Sequence, residues 1–121
     1  VLFRSFCDTM QTLCAETGAA STAWTVGLSG GLDSIVLLDL CARYRDEICA
    51  EQTMQAAHLH HGIRGQAADE DLAFCRSVCQ DYRITIRTES ADVPALARDQ
   101  GWGLEEAGRA ARHAFFARLV A

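Results

Sequence analysis

The sequence predicts an α/β fold, a doubly wound parallel sheet of about three strands. Helical and strand-like segments alternate along the chain, an order that produces a parallel sheet with right-handed crossovers. A short apolar strand also runs into Ser29-Gly30-Gly31 and then into a helix, as ligand loops do in such sheets. The 121 residues are 50% hydrophobic and 22% charged, the balance of one globular domain.

In the first half of the chain, apolar spacing predicts two helices and two strands. Residues 6–16 have helical spacing, and Gly18 ends that helix. Residues 23–28 form a short β-rich run. Residues 34–44 are apolar on most sides, as expected for a helix buried against a sheet. Residues 53–59 form the second strand.

The second half of the chain begins with a helix over residues 67–82, whose acidic first turn suits the helix dipole. Residues 83–88 alternate between polar and apolar types and form the third strand. Val93–Gln100 is a short helix ended by Gly101, and residues 104–119 form the last helix. The unusual motifs of the chain therefore follow strands, at the edge where such sheets bind ligands.

Charge and composition exclude several classes of protein. The net charge is −5, and all 11 basic residues are arginines, so a Walker-type loop, which needs lysine, is excluded. A broad basic face for nucleic acid is not expected, and an RNA contact would need a local arginine cluster. Because no apolar run could span a bilayer and no signal peptide is recognisable, we expect a soluble, cytoplasmic protein.

The cysteines are expected to be free, buried thiols. The chain has six of them, and no pair has the C-x-x-C spacing. Cys75 and Cys79 lie four residues apart in a predicted helix and therefore share a face. A metal site at this pair is the alternative, although no second pair of ligands is near in sequence.

The S-G-G-L-D-S segment at residues 29–34 predicts an anion site. Adjacent glycines let the backbone turn sharply, and the N–H groups at a helix start bind anions without a lysine. Ser29 and Ser34 add hydroxyl donors. Asp33 would repel phosphates unless it binds a bridging Mg²⁺ or a ligand hydroxyl. The alternative is an ordinary turn in which Asp33 or Ser34 is the N-cap.

Two further segments carry side chains suited to ligand binding. Residues 57–65 contain three histidines that could line a ligand, hold a metal or simply end a strand. In the last helix, Arg109 and Arg112 share a face, and so do Glu105 and Arg109. By itself this pattern is also typical of a solvated, charged helix face.

The loop resembles the signature of the PP-loop ATP pyrophosphatases, whose domain is a Rossmann-like, adenine nucleotide alpha hydrolase-like sheet. These enzymes split ATP between the α- and β-phosphates and activate a carbonyl-type oxygen as an adenylate. The resemblance implies that the loop holds the pyrophosphate part of ATP through Ser29, Gly30, Gly31, Leu32, Asp33 and Ser34.

Three segments together resemble the tRNA(Ile)-lysidine synthetases: S-G-G-L-D-S, H-H-G-I-R-G-x-x-A-D-x-D and D-V-P-A-L-A-R…L-E-E-A-x-R-x-A-R. That family ligates lysine to C2 of the wobble cytidine through an adenylated tRNA, releasing pyrophosphate and AMP. The resemblance implies ATP and Mg²⁺ as cofactors, and a tRNA(Ile) with a CAU anticodon and free L-lysine as partners. It assigns catalytic roles to Asp33, Glu106, Arg109 and Arg112, nucleotide binding to His61, and Mg²⁺ to Asp33.

The sequence departs from that family at two positions of the last helix. Gly108 stands where alanine is usual and should loosen the helix by about 1 kcal/mol. His113 stands where tyrosine is common. Neither change removes a charged group.

The ends of the sequence suggest a piece of a longer protein. The chain lacks an initiator methionine, residues 1–5 match a translated sequencing-adapter tail, and the last helix lacks a capping glycine. We expect residues 6–121 to be the N-terminal part of the PP-loop domain. The family continues with a strand, a G-H-x-x-D-D-x-x-E-T segment and a basic tRNA-binding region, so this piece alone is not expected to catalyse ligation. Without that strand, the strand at 23–28 would leave an exposed edge prone to aggregation.

Other functions stay open. A tRNA-thiolating enzyme shares the loop but generally carries paired C-x-x-C cysteines. Amidating ligases such as GMP synthetase share the loop but not the histidine segment. A non-catalytic ATP-binding module and a gene remnant are further alternatives, and the oligomeric state is open, with a homodimer among the options. Pyrophosphate release that depends on tRNA and lysine would discriminate between these functions.

Overall fold

The computed structural model describes residues 2–17, 23–48, 53–62 and 66–120. Helices and strands alternate through these residues. In chain order the elements are α1 (Leu2–Thr17), β1 (Trp24–Gly27), α2 (Leu32–Glu47), β2 (Met54–His60), α3 (Gln66–Asp81), β3 (Thr85–Ser90), α4 (Val93–Gln100) and α5 (Leu104–Val120).

The strands form one parallel sheet in the order β1-β2-β3. Val26 pairs with Ala56, and Ala56 pairs with Ile86, so the strands are nearly level and their carboxyl ends meet at one edge. Helices cover both faces of the sheet. Since neighbouring residues of β2 point to opposite faces, they pack against different helices. Ala56 packs in a core with α2 and α3, whereas Ala57 packs against Phe115 of α5. The predicted α/β fold with a doubly wound sheet is confirmed.

The larger core lies between the sheet and helices α2 and α3, with Leu38 fully buried at its centre. Cys41, Cys75 and Cys79 belong to this core, and Cys7 is also buried, so these four cysteines are the buried thiols expected from the sequence. Burial raises the pKa of the Cys41 thiol to about 11. The side chains of the other two cysteines, Cys14 and Cys49, are outside the part of the chain that the structure describes, so their predicted burial stays a prediction.

The elements differ from the sequence predictions mainly at their ends. The third strand was predicted at residues 83–88 and lies two residues later, because Arg83 adopts a left-handed conformation (φ 57°) in the turn after α3. Helix α1 begins at Leu2, ahead of the predicted start, and the Phe3 ring lies 4.0 Å from Arg43 Cζ. Gly18, the expected end of this helix, lies outside the described residues.

Within the described ranges, no helix combines the length and the apolar character that crossing a membrane requires. At the edge of the sheet, β1 pairs with β2 and with no other described strand. Among the described strands, β1 is therefore an edge strand of the sheet, as the sequence predicts.

Candidate functional site

A cavity of about 520 Å³ opens at the carboxyl ends of β1 and β2, between α3 and α5. Its position matches the ligand edge expected for a doubly wound sheet. Backbone pairing continues to the rim of this cavity, since Leu28 N–H donates to Ala57 O over 2.8 Å. The lining residues are Gly27, Leu28, Ser29, His58, Leu59, His60, His61, Ala67, Ala68, Asp71, Arg112 and Phe116.

The loop between β1 and α2 is held by its own hydroxyl groups. Ser34 Oγ donates to Gly31 O over 2.9 Å and accepts the Ser29 N–H over 3.2 Å. Gly31 N–H donates to Ser29 Oγ over 3.2 Å. The hydrogen of the Ser34 hydroxyl is thus used inside the loop, and Ser29 is the serine that lines the cavity.

Helix α2 starts directly after this loop with Gly31 as its N-cap and with no side-chain cap. The alternative of an ordinary turn capped by Asp33 or Ser34 therefore does not describe this segment. An uncapped helix start presents N–H groups and the positive end of the helix dipole to solvent, an arrangement that binds anions.

Helix α3 packs against the loop between β1 and α2. The backbone N–H of Gly30 lies near Cys75 and lowers the pKa of its thiol, against the burial that raises it. Gly30 has φ +88°, and a Cβ built there would lie 3.0 Å from Asp71 Cγ, so this position needs glycine for its conformation and for space. Asp71 and Cys75 are four residues apart and therefore share the face of α3 that meets the loop.

Asp33 lies in the first turn of α2, exposed, without a hydrogen bond or ion pair to any described residue. Mg²⁺ is commonly held by one or two carboxylates together with substrate phosphates and water. A free carboxylate beside an anion-binding loop fits that mode. No group of three or more metal-ligating side chains occurs among the residues described.

His58 is buried, with 5% of its surface exposed. Its Nδ1 lies 2.8 Å from Leu28 O, and because a carbonyl only accepts, Nδ1 carries the hydrogen. The histidine therefore ties β2 to Leu28, which precedes the loop, and its side chain lines the cavity.

His60 uses both ring nitrogens. Nδ1 accepts the Gly62 N–H over 3.0 Å, so Nε2 carries the hydrogen and donates to Asp69 Oδ1 over 2.9 Å. His58 and His60 both meet α3, as expected for alternate residues of one strand. Because three ring nitrogens of His58 and His60 are used in hydrogen bonds, nothing among the described residues supports the alternative in which the histidines hold a metal.

His61 lies in the turn after β2 and lines the same cavity as Arg112. Burial lowers the pKa of His61, and the charge of Arg112 lowers it further, as do His58 and His60. These effects favour the neutral form of the ring, beside a permanently charged guanidinium.

The structure divides the predicted site residues between two places. Ser29, His61 and Arg112 line the main cavity. Glu106 and Arg109 line a second cleft of about 490 Å³ at the start of α5, together with Gly103 and Glu105. The rest of the predicted loop lines neither cavity: Gly30, Gly31, Leu32, Asp33 and Ser34. The catalytic and binding roles of these residues stay predictions.

The contact between Asp71 and the loop was not predicted: Asp71 entered only as an acidic residue early in a helix and as the last residue of the histidine-containing segment. The signal was its spacing from Cys75, because one turn of helix separates the two residues and places them on the same side of α3. That face meets the loop, as the Gly30 contacts show.

Comparison with known proteins places this geometry in a family. The chain belongs to the PP-loop domain family, whose model matches residues 4–121.

Among the curated relatives, similar proteins carry the name tRNA(Ile)-lysidine synthase. The tRNA(Ile)-lysidine synthase of Geobacillus kaustophilus is 41% identical over 95 residues, which cover 78% of this chain and 20% of the relative. The enzyme of the same name from Xanthomonas campestris is 42% identical over 117 residues, which cover 94% of this chain and 25% of the relative. The chain thus spans a fifth to a quarter of the length of these relatives.

A solved structure shares the fold. It is the U34-tRNA thiolase NcsA from Methanococcus maripaludis with its [4Fe-4S] cluster, and it aligns with a TM-score of 0.53 at 26% identity. The alignment covers 58% of this chain and 23% of the thiolase.

Proposed function

We propose that this chain is the ATP-binding part of an enzyme that ligates lysine to the wobble cytidine of tRNA(Ile). The observation that carries the proposal is the uncapped start of α2 behind Ser29-Gly30-Gly31, at the rim of a cavity large enough for a nucleoside. The similarity to named tRNA(Ile)-lysidine synthases over most of the chain supports this substrate pair.

In the proposed reaction, the C2 oxygen of cytidine attacks the α-phosphate of ATP and the bond to pyrophosphate breaks. The ε-amine of lysine then attacks C2 and the bond to AMP breaks. Both steps expel an anion, so groups that neutralise developing charge are the tools required. The N–H groups in the first turn of α2, which the loop does not use, would hold the pyrophosphate.

The main cavity would hold the nucleoside. Leu28, Leu59 and Phe116 give it apolar walls, and Ser29 stands where the walls meet the loop. Arg112 supplies a charge that suits a phosphate group. Asp33 would hold Mg²⁺, which, when bound, neutralises charge on the leaving pyrophosphate.

The second cleft would take part of the acceptor substrates. Arg109 suits a carboxylate or a tRNA phosphate because its guanidinium makes paired hydrogen bonds, and Glu106 suits an ammonium group. We propose tRNA(Ile) with a CAU anticodon and free L-lysine as these substrates, in the cytoplasm.

The test measures pyrophosphate release from ATP with tRNA(Ile) and lysine added separately and together. It compares this chain with a longer protein that contains it. We expect ATP binding by the chain, and release that depends on tRNA in the longer protein. ATP binding without any tRNA-dependent release, or a stop codon directly after Ala121, would favour a non-catalytic nucleotide-binding module instead.

A tRNA-thiolating enzyme is the second candidate, favoured by the similarity to the archaeal thiolase. The described thiols argue against it. Cys75 is buried, and burial together with Cys79 and Asp71 raises its pKa to about 11, so it does not supply the thiolate that thiolation chemistry needs. Iron bound after anaerobic reconstitution of the longer protein would reverse this preference.

A further inference from the structure

Position 108 of α5 lacks a side chain at a point where the helix meets the turn after β2. A Cβ built on Gly108 would lie 3.2 Å from His61 Cε1 and 3.4 Å from His61 Nδ1. Real Cβ atoms rarely have contacts this short, so the imidazole occupies space that a side chain at 108 would need. The same Cβ would lie 3.9 Å from Arg112 Nη1.

The helix itself gives no reason for glycine here. Gly108 lies in the interior of α5, where glycine is less favourable than alanine because it loses more backbone entropy on folding. Its backbone is not among the glycines with positive φ. The close approach of His61 is therefore the contact that a side chain at this position would disturb.

This contact sets one wall of the main cavity. His61 and Arg112 both line it, and the imidazole is partly buried against α5. After burial, the charges that lower the pKa of the ring are those of Arg112, His58 and His60, and none of these residues is an acid. Arg112 has no ion pair with any described residue, so its charge is available to an anion in the cavity.

We propose that Gly108 is a positioning residue: by omitting a side chain, it lets the His61 imidazole lie against α5 beside Arg112, at the wall that a bound nucleotide would contact. This inference rests on the proposed function for the identity of the ligand. The contact between Gly108 and His61 does not depend on it.

The first test compares ATP affinity of the 121-residue chain with that of Gly108→Ala, by calorimetric titration. Alanine should keep or raise Tm, since it favours the helix, and should weaken ATP binding roughly three- to tenfold by pushing His61 away. In a His61→Ala background the same substitution should leave affinity unchanged. Ala114→Gly, at an exposed position of α5, is the matched control: it should lower Tm without changing affinity.

The second test needs no ligand. The imidazole of His61 is titrated by NMR, with His61→Asn identifying its signal. Burial and Arg112 hold the pKa of His61 below its ordinary value, and Gly108→Ala should let it rise toward that value as the ring moves outward. An unchanged titration overturns the proposal, and so does a changed titration with unchanged ATP affinity. A wild-type chain that binds no ATP would refute the proposed function, while the titration would still decide the contact.

Discussion

At the scale of single residues, the clearest constraint is Gly30. Its left-handed backbone strains any side chain, and a Cβ there would crowd the side chain of Asp71. Gly30→Ala should lower stability by about 1–3 kcal/mol and weaken ATP binding at least tenfold, because the loop must move off α3. Chemical unfolding and ATP titration measure the two effects. Gly101→Ala is the control, since Gly101 has φ +71° but nothing within 4 Å of its Cβ position, and it should cost stability without changing ATP affinity.

Asp33 carries a second prediction at this scale. If its carboxylate holds Mg²⁺ against the phosphates, Asp33→Asn should abolish the gain in ATP affinity that Mg²⁺ provides, and should leave affinity in EDTA unchanged or slightly higher, because a repelling charge is lost. Asp46→Asn, near the other end of α2, should keep the wild-type dependence on Mg²⁺. Equal Mg²⁺ dependence in both variants would contradict the role given to Asp33.

The buried thiols make stability depend on pH at the alkaline end. Burial raises the pKa of Cys41 from 9.0 to about 11 in the folded state, so the folded chain binds this proton more tightly than the unfolded chain does. Stability is then complete below pH 9 and is lost as pH rises toward 11, by about 2 kcal/mol for this thiol. Urea unfolding between pH 8 and 11 tests this. Cys41→Ala should be less stable at pH 8 but should show a shallower loss.

At the scale of elements, sequence patterns predict the ends of a helix or strand correctly where residues within one short segment determine those ends. Helix α4 has the predicted bounds, because Asp92 accepts the Ala95 N–H over 3.0 Å at its start and Gly101 ends it. The third strand is displaced by two residues because the turn at Arg83 uses residues whose alternation looks β-like. That turn follows from how α3 meets the sheet, which local spacing does not encode.

The cap of α4 allows a direct test. Asp92→Ala removes the side-chain acceptor for Ala95 N–H and should cost about 1 kcal/mol. Asp99→Ala, an exposed acidic residue at the other end of the same helix, should have little effect or a slightly favourable one, since acids are unfavourable near a helix C-terminus. Thermal unfolding of the two variants compares them, and equal losses would contradict the capping role.

At the scale of the whole molecule, the sequence was sufficient to predict the parallel sheet, the loop and the edge of the sheet at which the loop lies. It was not sufficient to predict how the site residues are divided between two clefts. Arg109 and Arg112 are neighbours on a helix, yet they line different clefts, because the cavity wall is completed by β2 and α3. Likewise, His58 meets Leu28 across the sheet, a contact that depends on strand register. Such pairings come from tertiary packing, and spacing along one element cannot reveal them.

The position of β1 at the edge of the sheet leads to a prediction about self-association. Because β1 has β2 as its neighbour and no other described strand on its outer side, the isolated chain should self-associate at micromolar concentrations. Sedimentation velocity over a concentration series measures this. A charged residue in the strand, Thr25→Lys, should reduce association if the edge is responsible. A wild-type chain that stays monomeric throughout would contradict the prediction.

The contact between Gly30 and Asp71 also bears on how such a domain can evolve. Positions 30 and 71 lie far apart in the chain but close together in the fold, and position 30 accepts a side chain poorly because of its left-handed backbone as well as the crowding by Asp71. A smaller residue at position 71 relieves only the crowding, so the backbone still favours glycine at position 30. In a library randomised at both positions, functional clones should therefore keep glycine at position 30 while position 71 varies.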